Sequence, residues 1–162
     1  MSSRAASGAF GVAHTSMIVR TYQPADHTAW LRMRRALFSS LTAADEAQDA
    51  AAWLARPDAV VLVAQRAESG GLSGFAEVGA RAYADGCETS PVAYLEGWYV
   101  DPDVRRQGVG AALVRAAEAW ARARGYRELA SDALLDNLPS QEAHVALGFG
   151  EVERSVKYRK VL

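Results

Sequence analysis

Cysteine is nearly missing from this chain: Cys87 stands alone among 162 residues. An intrachain disulfide and a cysteine-based metal site are therefore excluded, and a reducing cytoplasm fits the composition. Long apolar runs are missing as well, since no stretch reaches the ~18–20 consecutive apolar residues that a membrane helix needs. In MSSRAASGAFGVAHTS (1–16), Arg4 imitates the basic end of a signal peptide, but Ser7, Gly8 and Gly11 break up any apolar segment behind it. Charge of one sign is also lacking. The formal net charge is −1, with no basic arm or stripe, which speaks against nucleic acid as a partner. No internal repeat and no low-complexity linker interrupts the chain after Met17. What is present is half apolar and 23% charged, a balance suited to one globular domain with a real core. The expected organisation is a flexible extension over residues 1–16 and a single domain over 17–162.

Periodicity alternates between strand and helix. MIVRTYQPADH reads as a first strand and a turn at Pro24, after which Trp30, Met33, Leu37 and Leu41 recur at helical spacing. A second, alanine-rich helix is expected from Asp45 to Leu54, ahead of Pro57. AVVLVAQ (59–65) and LSGFAEVGARA (72–82), separated by a turn at SGG, form an expected hairpin. VAYLEGWYV (92–100) is almost continuously apolar, as befits a central strand covered on both faces. The following helix carries Val109, Leu113, Ala116, Ala117 and Trp120 on one stripe, with Gly125 placed to end it. A strand at ELASDA (128–133), a short helix near SQEAHVAL (140–147) and a last strand within FGEVERSVKYRKVL complete the order. The reading is a mixed α/β domain built on a central sheet.

RRQGVG (105–110) lies between a strand and a helix, where unpaired N–H groups and the positive end of a helix dipole favour an anion. Gly108 and Gly110 leave out Cβ atoms that would hinder close approach. The same glycines also suit a purely structural turn. No third glycine makes a dinucleotide fingerprint, and no Gly-Lys-Ser/Thr makes a P-loop.

The segment resembles motif A of the GNAT superfamily of acetyl-CoA-dependent N-acetyltransferases, Arg/Gln-x-x-Gly-x-Gly/Ala, matched by Arg105, Gly108 and Gly110. The element order agrees. The resemblance implies a mixed central sheet with splayed middle strands, flanked by helices. It also implies acetyl-CoA as acetyl donor, with no metal: its pyrophosphate would lie over Arg105, Arg106, Gln107, Gly108, Val109 and Gly110, and its pantetheine arm against the backbone of Trp98, Tyr99 and Val100. Asn137, ahead of His144 and Gly148-Phe149, fits a second segment for the same ligand. Many members carry a tyrosine four residues before that Gly-Phe, where it protonates the departing thiolate; here the position is His144. An imidazolium can serve, since histidine titrates near ~6.5 and a thiol near ~8.5. The alternative is a histidine that only packs.

RAYADGCETSPVAYLEGWYV (81–100), ASDALLDN (130–137) and HVALGFGEVER (144–154) resemble a subgroup of that superfamily, the aminoglycoside 6′-N-acetyltransferases. The likeness implies that Phe38, Tyr83, Glu96, Asp132 and Glu153 line the antibiotic site, Phe38 standing where the subgroup has tryptophan. It also implies a homodimer, through the C-terminal strand. The residue types suit the chemistry, because a sugar bearing several ammonium groups needs carboxylates around it. Glu96 lies within an apolar strand, where an unpaired charge is expensive, and simple alternation puts it on the face of Trp98. It suits equally a structural acid paired with an arginine such as Arg81. Asp132 ends the neighbouring strand, at a ligand crevice or as a turn residue. Tyr83 and Glu153 read as site residues or as surface residues. Asp45, Glu46 and Asp49 read as a solvated helix face.

The implied reaction is direct attack of the 6′-amine on the thioester, with Glu96 and then Asp132 as candidate proton acceptors, His144 as acid and an N–H of residues 98–100 on the thioester oxygen. A GNAT enzyme for another polyamine or a protein amine, or an acyl-CoA-binding module without activity, stands as the alternative.

Overall fold

The computed structural model describes residues 17–39 and 42–162; the expected extension over residues 1–16 and Leu41 of the first helical stripe lie outside the described residues. Chain order begins with β1 (Ile18–Thr21), α1 (His27–Leu37) and α2 (Ala43–Leu54), followed by the strands β2 (Ala59–Gln65), β3 (Leu72–Arg81) and β4 (Val92–Val100). It continues with α3 (Val109–Ala123), β5 (Leu129–Ser131) and α4 (Leu138–Ala146). Local chemistry explains the boundaries. Pro24 opens a tight turn in which the Asp26 carboxylate accepts the Gln23 N–H at 2.7 Å and two guanidinium nitrogens of Arg20 at 2.7 and 2.9 Å. Thr42 caps α2 by accepting the Asp45 N–H. Gly125, at φ +83°, lets the chain leave α3, with the Tyr126 N–H returning to the Ala121 carbonyl.

The strands form one sheet in the order β1-β2-β3-β4-β5, antiparallel except for the β4/β5 pair, which α3 connects as a parallel crossover. Trp30, Met33 and Ala50 of α1 and α2 pack with Val61, Val63 and Phe75 on one face. Leu113, Val114 and Ala117 of α3 pack with Leu62, Ala76, Val78 and Leu95 on the other. Both faces of β3 and β4 are thus covered, which is why their sequences run nearly continuously apolar. Among the described residues no helix is long and apolar enough to cross a membrane.

Two expectations need correction. Residues 149–162 contain no strand; Val156, Tyr158 and Val161 stand exposed, because no strand among the described residues lies beside this segment as a ladder partner for its N–H and C=O groups. The second concerns Glu96. Glu77 pairs with Gly97 but Val78 pairs with Leu95, so Glu96 is the extra residue of a bulge in β4. The bulge breaks the alternation. Trp98 packs toward α3, whereas Glu96 turns to Arg81 and Tyr94 on the opposite face.

Candidate functional site

β4 and β5 pair from Ala93 opposite Leu129 as far as Leu95 opposite Ser131. Beyond that pair the edge of β4 over residues 96–100 has no strand beside it among the described residues, while its other edge stays bonded to β3. The result is a wedge between parallel strands, with the edge of β4 over Trp98, Tyr99 and Val100 as its wall. α3 starts at the wide end. Gly108 heads it at φ +86° with open space where a Cβ would be, and its carbonyl takes the first helical bond from Ala112. The N–H groups of residues 109–111 therefore face outward unpaired, the arrangement a diphosphate requires. Arg105 bonds the Val100 carbonyl at 3.0 Å, Arg106 lies at φ +60° and Gln107 bonds the Asp103 carbonyl, so the turn is held from its own backbone. The residues present fit acetyl-CoA. Val109 itself points into the core, and Asn137 accepts the Ser140 N–H as the cap of α4.

Gly110 has a neighbour that the sequence did not imply. A Cβ there would meet the indole of Trp98 at 2.9 Å, so the missing side chain makes room for the tryptophan as well.

On the α1/α2 side of the wedge the acids form a cluster. Arg81 holds Glu96 with two hydrogen bonds, the Nε one at 2.7 Å, and lies flat on the Tyr94 ring, 3.4 Å from its centroid. Glu96 is thus the arginine-paired acid that its strand position allowed. The Tyr94 hydroxyl donates to Asp132 at 2.7 Å, and burial first, then this bond, pushes its pKa well up, so the phenol stays protonated. The second oxygen of Asp132 makes no hydrogen bond among the described residues. Phe38 ends α1 beside the bulge: a Cβ at Gly97 would lie 3.3 Å from its ring. Tyr83 is 69% exposed and donates to Asp85 at 2.7 Å; that bond raises its pKa most, with Glu153 close enough to add to the effect.

On the α3/α4 side stands His144. Its Nδ1 lies 2.7 Å from the Ser140 carbonyl oxygen and its Nε2 2.9 Å from Oγ of Ser131, while Trp98 and Phe149 meet the ring edge-on at 5.2 and 5.1 Å. The sequence reading brought His144 to the site but passed over Ser131, although it adjoins Asp132 in the same ASD triplet.

Two further acids were misjudged or missed. Glu46 is not solvated; it is 2% exposed and bonded to Arg35 at 2.6 Å. Glu77, inside β3, accepts from the Trp30 indole at 3.0 Å and from buried Arg34, which reaches on to Asp49 and stacks on Phe38. Burial outweighs the arginine and pushes the Glu77 carboxyl up to about 7. Its only sequence signal was a charge amid the apolar run GFAEVGA.

The acetyltransferase (GNAT) family model matches residues 27–149. An aminoglycoside N(6')-acetyltransferase type 1 from Klebsiella aerogenes is 46% identical over 152 residues, covering 91% of this chain and 99% of that protein. One from Stenotrophomonas maltophilia is 43% identical over 145 residues, covering 89% and 93%. Among solved structures, AAC(6')-Iy in complex with the bisubstrate analogue CoA-S-monomethyl-acetylneamine superposes with a TM-score of 0.84 at 34% identity, over 91% of this chain and all of that one. Apo AAC(6')-IG from Acinetobacter haemolyticus gives 0.82 at 38% identity, over 90% and 99%.

Proposed function

The chain belongs to the acetyltransferase (GNAT) family, and we propose that it transfers an acetyl group from acetyl-CoA to the 6′-amine of aminoglycoside antibiotics, conferring resistance. The observation that carries this reading is the acid cluster at the wedge. Glu96 and Asp132 are gathered within reach of the free edge of β4, with Tyr83, Asp85 and Glu153 beyond, and Arg81 is the one cation hydrogen-bonded to them among the described residues. An excess of carboxylates beside an acyl-donor site favours an acceptor carrying several ammonium groups over a neutral or acidic one.

In this mechanism the amine loses a proton and attacks the thioester directly. Asp132, with one oxygen unengaged, is better placed to take that proton than Glu96, which Arg81 holds at both oxygens. Tyr94 keeps Asp132 aimed. An N–H from residues 98–100 polarises the thioester oxygen, Phe38 and Tyr83 supply faces for sugar rings, and His144 supplies the proton that returns to the thiolate. The same reading includes a homodimer in the cytoplasm, supported by the apolar side chains that the C-terminal segment leaves exposed; sedimentation analysis giving a monomer would remove the dimer from it.

Neomycin and paromomycin test the assignment, since they differ at the 6′ position by an amine and a hydroxyl. Both are expected to bind, but only an amine becomes a nucleophile by losing a proton to a carboxylate near neutral pH. Coenzyme A release is expected with neomycin and almost none with paromomycin, which acts as a competitive inhibitor. Comparable turnover of both, with acetyl found on another ring, would refute the 6′ assignment.

A further inference from the structure

The hydrogen-bond arrangement around His144 leaves it no direct outlet. A carbonyl oxygen only accepts, so the 2.7 Å contact with Ser140 fixes a proton on Nδ1; the Ser140 hydroxyl, at 3.4 Å from the same nitrogen, is the weaker neighbour. The other nitrogen, Nε2, faces Oγ of Ser131 at 2.9 Å, and that Oγ lies 3.1 Å from the Leu95 carbonyl. Ser131 has a single proton for these two contacts. With a neutral ring one of them goes without. With an imidazolium, Nε2 donates to Oγ and Oγ donates to Leu95, and every contact is satisfied. Trp98 and Phe149, edge-on to the ring, hold this orientation.

Ser131 is also where the wedge begins. It is the last residue of β5 and makes the last pair with β4, so its hydroxyl stands at the apex of the gap. Adjacent strand residues point to opposite faces. Asp132, the residue just past β5, bonds Tyr94 on the α1/α2 side and Ser131 bonds His144 on the α4 side, which divides proton acceptor from proton donor at the end of one strand.

We propose that Ser131 is the catalytic residue that protonates the departing sulfur, and that His144 acts through it as the proton store. The amine nitrogen bonds to the acetyl carbon, and the C–S bond breaks with its electron pair going to sulfur. Ser131 Oγ gives its proton to that sulfur while Nε2 of His144 gives its proton to Oγ. Ser131 ends as a neutral hydroxyl and His144 as a neutral ring protonated on Nδ1. The inference rests on the acetyltransfer reading above.

Single-turnover acetylation of neomycin by Ser131→Ala, His144→Ala and the double variant tests the relay, alongside 15N NMR of the His144 ring and coenzyme A affinity in the full-length protein. Each single variant is expected to be slower by about 10²-fold, the lower end of what a positioned general acid supplies. The double variant loses no more than either single one, since both belong to one path. Ser131→Thr, which keeps the hydroxyl, recovers most of the loss. The Nε2 resonance moves in Ser131→Ala and returns in Ser131→Thr, while coenzyme A affinity stays level and reports intact folding. A wild-type rate in Ser131→Ala, multiplying losses in the double variant, or an unmoved Nε2 signal overturns the relay. A wild-type protein inert toward every amine overturns the acetyltransfer reading instead, and the Nε2 signal then decides alone whether Ser131 and His144 are linked.

Discussion

Gly110 and Trp98 share one volume: a Cβ on residue 110 would lie 2.9 Å from the indole Cζ2. Trp98 in turn walls His144, and its own indole N–H is buried without a partner among the described residues. Gly110→Ala is therefore expected to shift the tryptophan and weaken both acetyl-CoA binding and thermal stability. The same substitution in a Trp98→Leu background should cost less, with a coupling of about 0.5–3 kcal/mol between the two sites. Equal costs in both backgrounds would leave Gly110 with the phosphate contact alone.

Asp132 offers an unengaged oxygen to the ligand and is steadied through the other by Tyr94. Asp132→Asn should weaken aminoglycoside binding by roughly 1–3 kcal/mol, the scale of a lost charge-assisted hydrogen bond, with acetyl-CoA affinity unchanged. Tyr94→Phe should act in the same direction but less. Calorimetry showing equal losses for both ligands would make Asp132 a structural residue.

Gly86 sits at φ +72°, and a Cβ there would meet Val152 at 2.5 Å. Gly86→Ala combines left-handed strain of about 1–2 kcal/mol with displacement of the segment bearing Glu153. Antibiotic affinity should fall several-fold while coenzyme A affinity holds. If both hold, the turn and the C-terminal segment do not cooperate in binding.

Glu77 has a direction that runs opposite to most carboxylates. Burial raises it from 4.5 to about 7 in the folded chain. Between about pH 4.5 and 7 the folded state therefore keeps a proton that the unfolded state has lost, and stability falls as the pH rises through that window. Relative to Glu77→Gln, the wild type should lose roughly 1–3 kcal/mol between pH 5 and 8 in urea titrations. Parallel curves for the two proteins would place the charged, arginine-paired carboxylate in the fold at all these pH values.

The sequence by itself determined what repeats along the chain. Apolar periodicity gave β2 and β4 their observed bounds and set α1, α2 and α3 in order, because the periods of strand and helix are written directly into which residues must be buried. The glycine turn before α3 and the resemblance in its flanking stretches point to the acetyltransferase family without the fold. What pairs across the chain was decided by tertiary structure. The bulge that turns Glu96 away from Trp98 exists only because β3 and β4 are out of step by one residue. Arg81 lies 15 residues from Glu96, and Tyr94 lies 38 from Asp132. The burial of Glu46 and Glu77 follows from what covers them, since a charge in a helix or strand does not carry its partner's position with it. The C-terminal residues alternate as a strand should and yet form none, because alternation selects a face while a strand also needs a neighbour.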